Sequence, residues 1–222
     1  MKIHNLENQT SLLSVFISEI RDLNIQKDSL RFRKNLERVG EILAYELSKD
    51  LSYRTKAIKT PLGEAEAGSL IDEVVICSVL RAGLTIHQGL LNYFDKAESA
   101  YISAFRKHKE DDSKIEVVVN YAAAPSLKGK TLILADPMLA TGTTLENVQM
   151  VLSKYGTPKE IHIVSVIGSQ SGVEHVARVF PQETHLWIAA IDKHLNSHSY
   201  IVPGLGDAGD LAFGEKLEIN KI

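Results

Sequence analysis

The stretch LILADPMLATGTTL, residues 132–145, combines residue types that could bind a phosphorylated sugar. A run of branched apolar residues ends on one acid, Asp136, and is followed by a proline and by threonines around Gly142. A short apolar run bounded by turn residues predicts a buried strand, and the pattern after it predicts a helix. The sequence therefore places a carboxylate at the carboxyl end of a strand and a glycine with hydroxyl groups at a helix start.

A helix that begins near Thr143 or Thr144 would offer an anion site. The first amides of a helix have no partners within it and lie at the positive end of its dipole, so a phosphate binds there. Gly142 allows close backbone approach, and the hydroxyls of Thr141, Thr143 and Thr144 add donors. Thr143 and Glu146 also have the spacing of a capping box, which would explain those two residues without a ligand. Capping leaves the acid and the glycine unexplained.

Two familiar nucleotide motifs do not account for this chain. The stretch lacks GxxxxGK[ST] and has no lysine for β and γ phosphates, which argues against ATP hydrolysis of the P-loop type. Gly204, Gly206 and Gly209 satisfy GxGxxG, but too little chain follows them for the rest of a dinucleotide-binding unit. An acid and a phosphate cradle without lysine suit a ribose 5-phosphate, with Asp136 accepting hydrogen bonds from the ribose hydroxyls.

The composition is that of a globular protein. The chain of 222 residues is 44% apolar and 24% charged, which fits one domain over residues 1–222. A net charge of -3 gives no overall attraction to nucleic acid or to an anionic membrane. No apolar run approaches the ~20 residues of a membrane span, and MKIHNLENQT lacks the apolar core of a signal peptide. With a single cysteine, Cys77, expected as a small buried hydrophobe, we predict a cytoplasmic protein.

Apolar periodicity predicts helices in residues 11–22 and 29–50, and an alternation of strands and helices after them. The fold class is therefore α/β, a doubly wound, mainly parallel sheet with helices on both faces. The predicted strands are VVICSVL, AYISAF, TLILA, IHIVSVIG and HLWIAAI. Residues 106–125 depart from the alternation with dense charge and a hairpin arm. Both a solvated surface excursion and a mobile active-site lid fit that segment.

Several motifs together resemble a known family. ADPMLATGTT is similar to the phosphoribosyl diphosphate motif of type I phosphoribosyltransferases, in the form typical of uracil phosphoribosyltransferases. The segments RFRKNLERVGEILAYE, VLRAGL and YIVPGLGDAGD agree with that family in order and spacing, from about residue 20 onward. The resemblance implies a type I phosphoribosyltransferase fold with a small hood or lid. It also implies transfer of the 5-phosphoribosyl group from phosphoribosyl diphosphate to N1 of uracil, giving UMP and diphosphate.

The resemblance also assigns roles to residues. Its implied catalytic residues are Arg81, Arg106 and Asp207, with both arginines contacting the diphosphate. The implied phosphoribosyl diphosphate-binding residues are Arg81, Arg106, Asp136, Pro137, Met138, Leu139, Ala140, Thr141, Gly142, Thr143, Thr144 and Asp207. The implied uracil-binding residues, in a base loop of about residues 192–214, are Ile201, Gly206, Asp207 and Ala208. Because small side chains let backbone groups match the acceptor, donor, acceptor edge of uracil, we expect cytosine to be rejected.

The expected cofactor is Mg²⁺, held mainly through the substrate diphosphate, with no metal site built by the protein alone. His194 and His198 have a ligand-like spacing but no HExxH pattern, so we expect exposed loop histidines. The family resemblance implies a homodimer or a higher homo-oligomer, and it leaves activation by a nucleotide such as GTP open.

The chain departs from the family pattern at a few positions. Thr143 stands where the family often has glycine, which bears on affinity for the 5-phosphate. Lys193, His194, Ser197 and Ser199 differ near the base loop, which bears on its flexibility.

Two alternatives stay open at this level. One is a regulatory protein on the same fold that senses a pyrimidine nucleotide and binds RNA, although helix 29–50 shows no basic stripe. The other is a phosphoribosyltransferase for orotate or a purine, although the orotate carboxylate would call for a cation where PGLGDAGD has acids.

Overall fold

The computed structural model describes residues 1–108 and 115–216, without the side chains of residues 105–108 and 115–119. Its helices are α1 (Leu12–Arg21), α2 (Ser29–Ser48), α3 (Gly83–Leu91), α4 (Thr143–Leu152), α5 (Gln170–Val179) and α6 (Ala208–Phe213). Its strands are β1 (Lys2–Asn5), β2 (Tyr53–Thr60), β3 (Gly63–Leu70), β4 (Val74–Leu80), β5 (Glu98–His108), β6 (Ile115–Ala123), β7 (Thr131–Ala135), β8 (Met138–Leu139), β9 (Glu160–Ser169), β10 (His185–Asp192), β11 (His194–Leu195) and β12 (Ile201–Val202).

The central sheet has eight strands in the order β1-β10-β9-β7-β4-β5-β6, with the short β8 also paired to β9. Its pairs are parallel except for β5 with β6. The predicted strands VVICSVL and TLILA coincide with β4 and β7, and α1 and α2 lie within the predicted helical segments. The mainly parallel α/β fold predicted from the sequence is confirmed.

Helices cover both faces of this sheet. Ile86 of α3 and Leu43 of α2 belong to one buried cluster, which also includes Ala208 of α6. Leu145 of α4 and Val176 of α5 belong to the other. Successive residues of β4 contribute alternately to the two clusters, because side chains of a strand alternate between the faces. Cys77 lies in the second cluster with 0% exposure, which confirms its prediction as a small buried hydrophobe.

The strand order reverses between β4 and β7. From β4 the sheet continues to β5, and from β7 it continues in the opposite direction to β9 and β10. The helices that follow these two strands, α3 and α4, pack in different clusters. In an open α/β sheet, such a reversal leaves a crevice beyond the carboxyl ends of the strands, where ligands bind. The loops after β4 and β7 therefore border the expected site.

Three parts of the fold were predicted from the sequence only in part or not at all. The antiparallel β2–β3 hairpin carries no strong apolar pattern and is largely exposed. The edge strand β1 comes from a polar amino-terminal segment and pairs with β10 alone. In the predicted excursion, β6 pairs antiparallel with β5 and confirms the hairpin arm, while residues 109–114 lie outside the described residues. No helix within the described ranges is long and apolar enough to cross a membrane.

Candidate active site

The loop after β7 is fixed to the neighbouring strand β9. The Ser165 hydroxyl donates to the carbonyl oxygen of Asp136 at 2.6 Å. The Pro137 carbonyl accepts from two successive amides of β9. Asp136 itself is 9% exposed, and its Oδ1 accepts from the Met138 amide at 3.1 Å. The acid is therefore held in a defined position at the crevice by its own loop.

Other residues of this loop are largely buried. Leu139 is 1% exposed and Ala140 8%. The Ala140 carbonyl accepts from the Ser169 hydroxyl at 2.6 Å, and the same hydroxyl accepts from the Gly172 amide at 2.9 Å. Leu139 and Ala140 therefore offer little surface of any kind to a phosphate.

Helix α4 begins at the predicted anion site, with Gly142 as its N-cap at φ +81° and without a side-chain cap hydrogen bond. A Cβ at Gly142 would lie 2.9 Å from Cδ2 of His175, so glycine is required by both space and backbone conformation. The predicted helix start near Thr143 is confirmed, and the alternative of a capping box does not hold, because Gly142 and not Thr143 is the N-cap. Glu146 pairs instead with Nε2 of His175 at 2.8 Å. The helix terminus thus remains open to an anion.

The threonines lie half-buried around this terminus. The Thr141 hydroxyl donates to Oγ1 of Thr143 at 3.2 Å, and the Thr143 amide contacts the Thr141 hydroxyl at 3.4 Å. The family's glycine position, occupied here by Thr143, therefore adds a hydroxyl to the cradle. Free helix amides favour bound anions, so this terminus is where we expect the predicted phosphate.

Arg81 follows β4 on the other side of the crevice. Ser78 of β4 pairs with Ala135 of β7, so the loops that carry Arg81 and Asp136 leave neighbouring strands at the same sheet edge. The Arg81 guanidinium pairs with Oδ1 of Asp210 at 2.7 Å. It also donates to the carbonyl oxygen of Gly214 at 3.2 Å, which joins this loop to the carboxyl-terminal segment. Arg106 lies in β5, and its side chain is outside the described ones.

The predicted base loop enters α6. Gly206 is exposed with φ +94°, whereas Ile201 and Ala208 are 4% and 2% exposed. Asp207 caps α6 by accepting from the amides of Gly209 and Asp210 at 2.9 and 3.0 Å. Ile201 and Ala208 are thus buried as whole residues, and Gly206 is the exposed residue among these three.

The Asp207 carboxylate also accepts from Lys216 Nζ at 3.1 Å. Burial opposes ionisation of this carboxyl, but the Asp210 amide and the Lys216 ammonium outweigh it, so the pKa of Asp207 is below its ordinary value. The site therefore holds an anionic Asp207 next to the Arg81–Asp210 pair at neutral pH.

Sequence reasoning missed the residues that anchor the base loop. Arg21 of α1 forms a bidentate ion pair with Asp192, at 2.8 and 3.0 Å, and donates to the Gly204 carbonyl at 3.0 Å. Asp192 in turn accepts from the Gly204 amide at 3.1 Å. Arg33 of α2 donates to the Ala212 carbonyl at 2.7 Å. An acid that ends an apolar run was the one sequence signal for Asp192, as it was for Asp136.

The segment between β10 and α6 is a small hairpin rather than an irregular loop. Strands β11 and β12 pair antiparallel, and the Asn196 side chain accepts from the amides of His198 and Tyr200 at 3.0 and 2.9 Å. Ser199 adopts φ +61° within the turn. His194 and His198 are exposed as predicted, and within residues 1–108 and 115–216 neither joins a three-residue metal-ligating group.

Comparison with known proteins agrees with this geometry. A family profile for uracil phosphoribosyltransferase matches residues 7–215. The uracil phosphoribosyltransferase of Porphyromonas gingivalis is 51% identical over 217 residues, covering 98% of this chain and 100% of that protein. The enzyme of that name from Pyrococcus furiosus is 37% identical over 223 residues, covering 99% of this chain and 93% of the relative.

A solved structure, that of the AQ2163 protein from Aquifex aeolicus, superimposes with a TM-score of 0.85 at 30% identity, covering 97% of this chain and 100% of that one. The family profile and the near-complete coverage of the curated relatives extend over the crevice, the anion cradle and the base loop. The chain belongs to the uracil phosphoribosyltransferase family.

Proposed function

We propose that this chain transfers the 5-phosphoribosyl group from phosphoribosyl diphosphate to N1 of uracil. The bond between sugar C1 and the diphosphate oxygen breaks, the bond from C1 to N1 forms, and the N1 proton is released. The observation that carries the proposal is the anion cradle at Gly142, which lies across the β4–β7 crevice from Arg81. The curated relatives that match nearly the whole chain bear the name of this activity.

Each part of the substrate has a counterpart in the crevice. The amides and hydroxyls of Thr141 to Thr144 receive the 5-phosphate, and the carboxylate of Asp136 orients the ribose hydroxyls. Arg81, with Arg106 from β5, binds the diphosphate and stabilises the negative charge that develops as it leaves. Asp207, ionised at neutral pH, contacts the phosphoribosyl diphosphate from the base loop and stabilises positive charge that develops on the sugar.

Backbone groups of the base loop select uracil. Gly206 is exposed and has no side chain, so it can present main-chain groups to a flat ring, while the buried Ile201 and Ala208 shape the loop around it. Cytosine reverses the polarity of two of the three positions on the matching edge. A buried donor facing a donor loses its partner, which is worth a discrimination of about 10⁴ or more.

Mg²⁺ fits this site as a companion of the substrate. Asp136, Asp207 and Asp210 offer carboxylate oxygens around the crevice, but among the described residues they form no three-ligand cluster. Magnesium usually retains water and binds through substrate phosphates with one or two carboxylates, and Asp136 and Asp207 could supply these. When bound, the ion neutralises charge on the leaving diphosphate.

We further infer that the chain acts as one functional unit in the cytoplasm and assembles with copies of itself. The exposed β2–β3 hairpin supports self-association, because Ile58 is 41% and Leu62 100% exposed. Exposed apolar side chains grouped on a projecting element are typical of protein interfaces.

The test is one assay of purified protein with phosphoribosyl diphosphate and Mg²⁺, in which uracil, cytosine, orotate and hypoxanthine are offered in parallel. We expect UMP from uracil and no nucleotide from the other three. Product from orotate or hypoxanthine instead would overturn the base assignment. Binding of phosphoribosyl diphosphate without turnover of any base, also in the presence of GTP, would overturn the proposed activity.

A further inference from the structure

Two histidines and an aspartate lie close together at the end of the sheet that is opposite to the active site. His185 is the first residue of β10, whereas Asp192 at the other end of that strand anchors the base loop. His4 lies on the neighbouring strand β1, and Asp50 follows the end of α2. One ligand atom from each of the three residues lies within 4.8 Å of the other two.

The separations between these atoms match the edges of a metal coordination polyhedron. Nε2 of His4 and Nδ1 of His185 are 3.3 Å apart. Oδ2 of Asp50 lies 3.7 Å from the His4 nitrogen and 3.2 Å from the His185 nitrogen. A tetrahedral zinc ion with bonds of about 2.0–2.1 Å holds its ligands about 3.3 Å apart. The three donor atoms therefore already have nearly the mutual spacing that such an ion requires.

The histidine orientations are fixed by neighbouring side chains. The His4 ring stacks on Trp187, with the ring centroids 3.6 Å apart and the planes at 9°. The Trp187 indole donates in turn to Nδ1 of the fully buried His162 at 3.1 Å. Such outer contacts orient ligands before the metal arrives. The three side chains are partly accessible to solvent, with His4, His185 and Asp50 17%, 18% and 28% exposed.

We propose that His4, Asp50 and His185 form a binding site for a transition-metal ion of the zinc class. Two imidazole nitrogens and one carboxylate favour Zn²⁺, Co²⁺ or Ni²⁺ over Mg²⁺, which prefers oxygen ligands. A fourth position is filled by water or by an external ligand. Lys2 competes for the same carboxylate, with Nζ 3.3 Å from Oδ2 of Asp50, but its side chain is 61% exposed and can turn into solvent.

A bound ion would link three elements that are far apart in the sequence. It would tie the edge strand β1 to β10 and both to the end of α2. A ligand that binds only the folded state raises the melting temperature. The ion is therefore expected to stabilise the protein by fixing strand β1 to its neighbours. The site is separate from the proposed transfer reaction, so it stands or falls independently of the uracil assay.

The test uses untagged full-length protein stripped with a chelator and titrated with Zn²⁺ or Co²⁺. Equilibrium dialysis with metal analysis gives the stoichiometry, and fluorescence of the single tryptophan, Trp187, reports events beside His4. We expect one Zn²⁺ per chain, quenching by Co²⁺, a higher melting temperature, and no displacement by millimolar Mg²⁺.

Variants identify the ligands. His4→Gln and His185→Gln should each weaken Zn²⁺ binding by at least about tenfold and abolish quenching by Co²⁺. His198→Gln, which changes an exposed histidine on the hairpin near the base loop, is the matched control and should bind as the parent does. If His185→Gln fails to fold, Asp50→Asn replaces it. Absence of Zn²⁺ binding in the parent, or unchanged binding in His4→Gln, would overturn the proposal.

Discussion

The guanidinium of Arg81 lies where the crevice meets the carboxyl-terminal segment. Its ion pair with Asp210 is 2.7 Å long, but the Arg81 side chain is 40% exposed, so the pair contributes only about 0–1 kcal/mol to stability. A diphosphate carries more charge than one carboxylate. It also offers several oxygens that can accept two parallel hydrogen bonds from the guanidinium group. Because the ion pair with Asp210 is weak, we expect a bound diphosphate to replace Asp210 as the partner of Arg81.

Replacement of Arg81 tests this role. Arg81→Ala should lower kcat by about 10²–10³, equivalent to about 3–4 kcal/mol of transition-state stabilisation. Arg81→Lys should recover only part of the loss, because an ammonium lacks the bidentate fork. Arg178→Ala, an exposed arginine on α5, is the control and should retain the parent rate. Near-normal turnover of Arg81→Ala with saturating substrates would contradict the assignment.

His87 is a second residue whose environment has a measurable consequence. It is 3% exposed, and its ring nitrogens contact the hydroxyls of Ser78, Ser99 and Tyr101. Burial lowers the pKa of His87 from 6.5 to about 4. Between those two pH values the unfolded chain binds a proton that the folded chain excludes, so the free energy of unfolding falls as the pH falls.

We expect this histidine to remove about 2 kcal/mol of stability between pH 6.5 and pH 4. In His87→Gln, which does not titrate, the urea midpoint should fall less steeply over that range than in the parent. His194→Gln removes an exposed histidine and should keep the parent's pH dependence. Equal slopes for His87→Gln and the parent would contradict the burial argument.

At the scale of elements, the start of α4 depends on one glycine. Gly142 and Gly129 both have positive φ, +81° and +73°, but a Cβ at Gly129 would meet nothing within 4 Å. At Gly142 it would meet His175 at 2.9 Å and the Gly172 carbonyl oxygen at 3.1 Å. The two positions thus share backbone strain and differ in steric contact.

Gly129→Ala should cost about 1 kcal/mol of unfolding free energy, because a left-handed conformation disfavours a side chain. Gly142→Ala should cost about 2–3 kcal/mol, since the overpacked α4–α5 contact adds to that strain. It should also raise the KM for phosphoribosyl diphosphate by about tenfold. Chemical denaturation and initial rates measure both quantities. Equal behaviour of the two variants would show that the contact with His175 is unimportant.

The amino-terminal helices hold the base loop. Arg21 of α1 binds both the Asp192 carboxylate and the Gly204 carbonyl, and its loss would leave Asp192, 8% exposed, without that cation. We expect Arg21→Gln to raise the KM for uracil by about tenfold and to change the KM for phosphoribosyl diphosphate little. The reason is that breaking a buried ion pair destabilises its surroundings, here the base loop, by about 3–5 kcal/mol. Arg31→Gln, which loses a more exposed pair with Glu19, is the control. A rise in both KM values for Arg21→Gln would contradict a specific effect on the base loop.

Elements with continuous apolar runs or amphipathic stripes were predictable from the sequence. Strands β4 and β7 and helix α2 follow directly from their apolar residues, because burial on both faces or on one stripe demands that pattern. The β2–β3 hairpin was missed, since a strand exposed on both faces carries no such signal. The Arg21–Asp192 pair was missed because its partners are far apart in sequence. Thr143 and Glu146 fit a capping box by spacing, but the left-handed Gly142 moved the helix start by one position.

At the scale of the whole molecule, the two ends of the sheet's parallel strands differ in chemistry. The carboxyl ends of β4, β7 and β10 carry Arg81, Asp136 and the anchored base loop, where charges face a crevice. His4 and His185 lie toward the opposite end of the sheet, on the parallel strands β1 and β10. One sheet thus carries the proposed sugar-phosphate site at the carboxyl ends of its strands. The proposed metal site, with its imidazole nitrogens, lies at the opposite ends.

The β2–β3 hairpin projects apolar side chains that the described part of the chain does not cover. Tyr53 and Ile58 of β2 are 49% and 41% exposed, and Leu62 at the turn is fully exposed. A hairpin of two strands without a packed face is marginal in water, so a partner surface is needed to stabilise it. If the partner is a second copy, Ile58→Lys combined with Leu62→Lys should shift light-scattering mass toward the monomer while far-UV circular dichroism is retained. The matched control, Lys56→Ala with Lys59→Ala on the same strand, should keep the oligomer, and an unchanged mass in the double lysine variant would contradict a hairpin interface.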